Sequence, residues 1–200
     1  MAIITRLSAG KRNPSRVNIY VDGLFTLALS LDEVVKQGLA KGVELSPERI
    51  QSLKAFDDAE KVYAKVLNFL SFRPRSIKEV RDRLREYQVK DPDQQDSLIN
   101  RLIDKGYLDD LAFARWFVNS RNSFRPRSAL QLSAELAQKG ISRDLIKMVI
   151  TPEIDHSALR KLIRKKSALY DRSHLVAYLA RHGFSYSKIR SELDEMGILA

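Results

Sequence analysis

Apolar residues in this chain keep two different periods, and the change between them divides the sequence. Up to Ser30 they alternate with polar residues in short runs, Val17-Asn-Ile-Tyr-Val21 and Leu24-Phe-Thr-Leu-Ala-Leu29, which is the period of half-buried strands. Asp22-Gly23 between the runs predicts a tight hairpin turn, and Ile3 to Leu7 offers a third strand. Ser30-Leu-Asp-Glu33 is a capping box that starts a short helix ending near Gly38, and Ser46-Pro47-Glu48 opens another. A sheet this small requires helices packed on it.

Beyond these strands the spacing becomes i, i+3, i+4, and the pattern recurs. Tyr63, Val66 and Leu67 form a first stripe, followed by the pentapeptide Phe72-Arg-Pro-Arg-Ser76, then Val80 and Leu84, Val89, and Leu98 and Leu102. The same order returns with Phe113, Trp116 and Phe117, a second Phe124-Arg-Pro-Arg-Ser128, Leu132 and Leu136, Ile141, and Ile146 and Ile150. A third copy lacks the pentapeptide but keeps Leu159, Leu162 and Ile163, Leu175 and Leu179, Phe184, and Ile189 and Leu193. The unit is therefore three helices.

The repeated word reads as a helix-to-helix corner. Pro74 and Pro126 disfavour helix just before them, while Ser76 with Glu79 and Ser128 with Gln131 each fit a capping box. Asp171 takes the cap position in the third copy. Gly140 and Gly183 fall where a left-handed residue ends the second helix. The first copy has Gln88 there and a short insertion around Asp91-Pro92-Asp93, so its turn is expected to differ. The predicted architecture is mainly α: three tandem three-helix repeats (56–108, 109–155 and 156–200) in an elongated array, with an N-terminal β-hairpin and short-helix module over 1–55.

Composition narrows function more than fold. The 200 residues carry a net charge of +10, which favours an anionic partner, and without cysteine there is no disulfide or thiolate chemistry. The start lacks the apolar core of a signal peptide and no apolar run approaches the length of a membrane span, so a cytoplasmic protein is expected. No catalytic constellation or phosphate-binding loop is visible, so neither an enzyme nor a cofactor is expected. His156, His174 and His182 suit no common metal spacing, and Asp109-Asp110 reads as the cap of a helix beginning at Leu111 in preference to a metal pair. Trp116, on an apolar stripe, reads as core, with a base-stacking platform as the alternative.

The basic residues are unevenly placed. Residues 156–200 hold 9 Lys and Arg against 4 Asp and Glu, half of the whole excess. Lys161, Arg164 and Lys165 share one helix face at i, i+3 and i+4. Arg73, Arg75, Arg121, Arg125 and Arg127 cluster at the two corners, with Arg81 and Arg172 on the helices that follow. These ten are the candidate contacts for phosphate or carboxylate; the alternatives are a solvated helix face and capping of helix carbonyls.

The motifs Leu67-x-x-Leu70-Ser71-x-Arg73-Pro-Arg-Ser76-x-x-Glu79-Val80, Gly106-Tyr-Leu-Asp-Asp110-x-x-Phe113-Ala114-x-x-Phe117-Val118-x-x-Arg121 and Glu135-Leu136-x-x-Lys139-Gly140-Ile141 resemble the RecX family, regulators of the RecA recombinase. The match covers about residues 60 to 200, and the N-terminal hairpin resembles the extension of longer members. The resemblance implies a binding protein, a monomer without membrane or cofactor, that lies along the RecA filament on single-stranded DNA and limits its growth or activity in recombination and repair. It leaves open whether the grip is on RecA, on DNA or on both. The rival class is a helix-turn-helix transcription regulator, against which stand the few base readers in Ser142 to Ile150 and the acids Glu192, Asp194 and Glu195 in the last helix.

Overall fold

The computed structural model of the chain describes residues 2–10 and 13–198. They form two compact units, residues 1–68 and 69–200.

In the first unit, β1 (Ala2–Ala9), β2 (Arg16–Val21), β3 (Leu24–Ser30) and β4 (Glu44–Leu45) make an antiparallel sheet in the order β3-β2-β1-β4. The expected hairpin is present: Val21 faces Leu24, and Asp22 and Gly23 both take left-handed backbone conformations. β1 is the expected third strand, whereas the two-residue β4 is too short to carry a period. α1 (Leu31–Lys36) is capped by Ser30, whose hydroxyl accepts from the Glu33 N–H at 3.2 Å. The core of Ile4, Ile19, Val21, Leu27 and Leu29 is closed by Val34 of α1, Leu39, Leu45 and Leu53. Leu53 lies on α2 (Pro47–Ser71), a helix of 25 residues that runs through positions 55 and 56 without a break. Asp57 on α2 is buried and accepts from Arg16 of β2 and from Lys61 at 2.9 Å, so its charge is compensated from two sides.

The second unit is helical. α3 (Ile77–Glu86) and α4 (Pro92–Asp104) follow the first corner; α5 (Asp110–Phe124), α6 (Ala129–Gln138) and α7 (Arg143–Val149) make the second repeat; α8 (Glu153–Lys166), α9 (Arg172–Arg181) and α10 (Tyr186–Glu195) make the third. Stripe residues fill the cores. Phe113, Phe117, Leu132, Leu136 and Ile141 form one cluster, and Leu159, Ile163, Leu175, Leu179, Phe184, Ile189 and Leu193 form another. Among the described residues no helix is long and apolar enough to cross a membrane.

The corners show why the word ends in Ser. Ser76 and Ser128 are both fully buried, and each hydroxyl accepts from a backbone N–H three residues on, at 3.2 and 3.3 Å. At Ser76 the reciprocal bond from Ser76 N–H to Glu79 is also made, at 3.4 Å. At Ser128 it is not: Gln131 Oε1 is buried without a hydrogen bond, so the expected capping box is only half formed. A carboxylate from the following repeat completes each corner. Asp110 accepts from the Ile77 N–H at 2.8 Å, and Asp155 accepts from the Ala129 N–H at 2.7 Å. Asp109 alone caps α5, accepting from Leu111 and Ala112, so the adjacent acids divide two tasks.

The turns after α3, α6 and α9 are one motif. Val89, Ile141 and Phe184 donate their N–H groups back to the carbonyls of Leu84, Leu136 and Leu179, while Gln88, Gly140 and Gly183 donate to Arg85, Ala137 and Ala180. The expected difference at Gln88 is absent: its φ of 68° matches the 83° and 81° of the two glycines. Glycine answers a second demand in the later turns. A Cβ on Gly140 would lie 2.7 Å from Lys78 Cβ, and one on Gly183 would lie 2.7 Å from Ser128 Oγ. Each later turn thus sits against the corner of the repeat before it. The insertion near Asp91 lengthens the third helix: α4 has 13 residues where α7 has 7.

Candidate functional site

The ten candidate cations separate by partner. Arg73 forks onto Glu79 with two bonds of 3.0 and 3.1 Å and lies with its guanidinium 5.8 Å from the Trp116 ring centre. Trp116 is half-buried against the second-repeat core. Lys139 reaches the same carboxylate from the C-terminal end of α6, at 2.6 Å. Burial pushes the Glu79 carboxyl up, but the hydrogen bonds from Arg73 and Lys139 outweigh it and hold the group at about 2. Arg75 stacks over Phe69 at 4.0 Å, and burial together with Arg73 draws its guanidinium below the usual range.

Other candidates are also tied to carboxylates. Arg81 meets Asp96 at 2.6 Å, Arg121 meets Glu135 at 2.8 Å, Arg127 approaches Glu135 at 3.6 Å, and Arg172 meets Asp194 at 3.1 Å. These contacts hold second helices to the helices around them, a task the spacing of the arginines alone does not reveal.

Five of the ten have no carboxylate ion pair among the described residues: Arg75, which stacks on Phe69, and Arg125, Lys161, Arg164 and Lys165. Lys161 donates to the Asn122 carbonyl at 3.0 Å. Arg125, Lys161 and Lys165 line one cavity of about 480 Å³ with Arg127, Lys166, Phe124, Tyr178 and His182. Arg164 is exposed outside that lining. The cavity lies between the second corner and α8–α9, and no Asp or Glu lines it, so apart from Arg127, which faces Glu135, its positive charge has no carboxylate beside it. Tyr178 stacks with Tyr170 at 5.6 Å and meets the His182 ring at a tilt with centres 4.1 Å apart, and Lys166 lies 5.6 Å from the Tyr178 ring centre. Sequence reading missed Lys166, Tyr178 and His182 as members of this group. Their only signal was the charge run on α8, because the neighbours that matter belong to another helix.

His156, Glu192 and Glu195 bring ligand atoms within 4.8 Å of one another. Arg160 donates to both carboxylates and places a fixed positive charge where a cation would sit, so the cluster is an ion-pair network joining α8 to α10.

A small β module followed by three-helix repeats, with a cationic groove between the second and third of them, defines a class of helical repeat protein. Three family models match: the RecX regulatory protein N-terminal domain over residues 2–46, the first RecX three-helix domain over 63–93 and the second over 109–150. The chain is 36% identical to the regulatory protein RecX of Halalkalibacterium halodurans over 155 residues, which are 76% of this chain and 58% of that one. It is 33% identical to that of Bacillus licheniformis, covering 98% of this chain and 78% of the relative. A crystal structure of regulatory protein RecX matches the fold with a TM-score of 0.78 at 24% identity, over 97% of this chain and 100% of that one. The chain belongs to the RecX family of regulatory proteins.

Proposed function

We propose that this protein binds the RecA filament on single-stranded DNA, as a cytoplasmic monomer, and limits its assembly and activity in recombination, DNA repair and the SOS response. Family membership supports the choice of partner, and the observation that carries the reading is the cavity lined by Arg125, Lys161 and Lys165 without an acidic residue. Such a groove draws an anionic strip, whether phosphate or acidic protein surface, at a rate that falls with salt.

The first test is RecA-dependent ATP hydrolysis on single-stranded DNA with and without this protein; an unchanged rate overturns the proposal. The second replaces Lys161, Arg164 and Lys165 together by Gln. Filament association should weaken and lose salt dependence, and if phosphates are the target each lost contact lowers the slope of log affinity against log salt by about 0.7–0.9. Wild-type affinity at low and high salt would return these residues to an ordinary solvated face. Selection of one tight duplex consensus would favour a transcription regulator instead.

A further inference from the structure

The repeated pentapeptide ends in a serine that is fully buried at both sites, yet it begins with the opposite kind of residue. Among the described residues, the two most exposed large hydrophobic side chains are Phe124 at 83% and Phe72 at 76%, and these are the first letters of the two copies. Neither ring supports a core. The residues after the word have diverged, Ile77-Lys-Glu79 against Ala129-Leu-Gln131, while both phenylalanines stand unburied at the same place in consecutive repeats.

We infer that Phe72 and Phe124 are twin docking points for a protein polymer that offers the same apolar socket on successive subunits. The inference rests on the filament reading above and assigns part of the grip to RecA itself. What the two corners share is an aromatic ring beside arginine, the composition of interface hot spots. They do not share a field that would draw a nucleic-acid strand. At the first corner Glu79 takes Arg73 and Lys139 and Arg75 lies on the Phe69 ring, at the second Glu135 takes Arg121 and Arg127, and only the second adjoins the cationic cavity. Equivalent points on consecutive repeats suit a partner that is itself periodic, because the second contact then forms within an already joined complex.

The test compares wild type, Phe72→Ala, Phe124→Ala and the double variant for binding to RecA filaments on single-stranded DNA, to unassembled RecA and to bare single-stranded DNA. Melting temperatures should not move, since both rings are solvated. Each single change should weaken filament binding by about 10-fold or more, at low and high salt alike, and the double variant should fall to the affinity for unassembled RecA. Binding of Phe72→Ala to bare DNA should be unchanged, because Phe72 lies outside the lining of the cationic cavity. A double variant that holds filaments within about threefold of wild type overturns the inference. So does a parallel fall in the bare-DNA binding of Phe72→Ala, which would make that ring a base-stacking platform. If wild type itself fails to bind filaments, the function proposed above falls first, and that failure is seen before any variant is made.

Discussion

The two copies of the corner differ in where their positive charge ends. At the first, Arg73 is locked by Glu79, and Lys139 from the next repeat closes on the same carboxylate. At the second, Arg127 is held at 3.6 Å by Glu135, while its neighbour Arg125 stays free over a cavity with Lys161 and Lys165. The word is the same in both, so the difference comes from residues outside it: Glu79 against Gln131 at the third helical position, and the basic face of α8 beside the second copy only. A short motif fixes backbone geometry; its electrostatic role depends on what the rest of the fold brings to it.

The largest effect should come from the turn that seats the second repeat on the first. Gly140→Ala meets both a left-handed backbone and the Lys78 Cβ, and should lower stability by about 2 kcal/mol in denaturant melts. A loss under about 0.5 kcal/mol would mean that the repeats are not seated this way.

Acid should then separate the corners. Glu79 is held at about 2 in the folded protein against an ordinary 4.5, so its contribution is complete above the ordinary value and is lost as pH falls from there toward about 2. Glu79→Gln should be less stable than wild type near about pH 7, and the gap should narrow near about pH 3. A gap that does not narrow would remove Glu79 from the acid response.

Replacing single arginines sharpens the contrast further. Arg73→Gln should lower stability by about 1 kcal/mol and leave anion binding nearly intact, whereas Arg125→Gln should leave the melt unchanged and weaken filament binding. The reverse pattern would exchange the roles of the two corners. The smallest change is Gln88→Gly, expected to stabilise by about 0.5 kcal/mol, since that turn holds a residue with a Cβ at a left-handed φ of 68°. Destabilisation there would mean that the Gln88 side chain is held by contacts that outweigh the φ penalty.

Much of this fold was legible because its signals are local. Ser30, Ser76, Ser128 and Asp171 cap helices within three residues of themselves, and alternation in Val17 to Leu29 sets the hairpin. Even the exception at Gln88 was located correctly, although it was expected to alter the turn and instead adopts the same geometry. The carboxylate partners were not legible. Lys139 meets Glu79 across 60 residues, Asp110 reaches Ile77 across 33, and Lys188 reaches Asp155 across 33; no periodicity ties such pairs together. The candidate site suffered most. An arginine in a motif looks the same whether its guanidinium faces solvent or a neighbour's carboxylate.

The crossing bonds from Asp110 to Ile77 and from Asp155 to Ala129 bear on how such a chain could be cut and rejoined. A graft made between whole three-helix units would separate a corner from the acid that finishes it, leaving the first N–H of a buried helix start unanswered. A graft made inside a first helix, just past its acidic opening turn, would carry corner and acid together. The exchangeable cassette here runs from just past the first turn of one repeat's first helix to the first turn of the next repeat, so its seams lie within helices, and a chimera built on that frame should fold where one built on the apparent repeat boundaries loses a hydrogen bond at every joint.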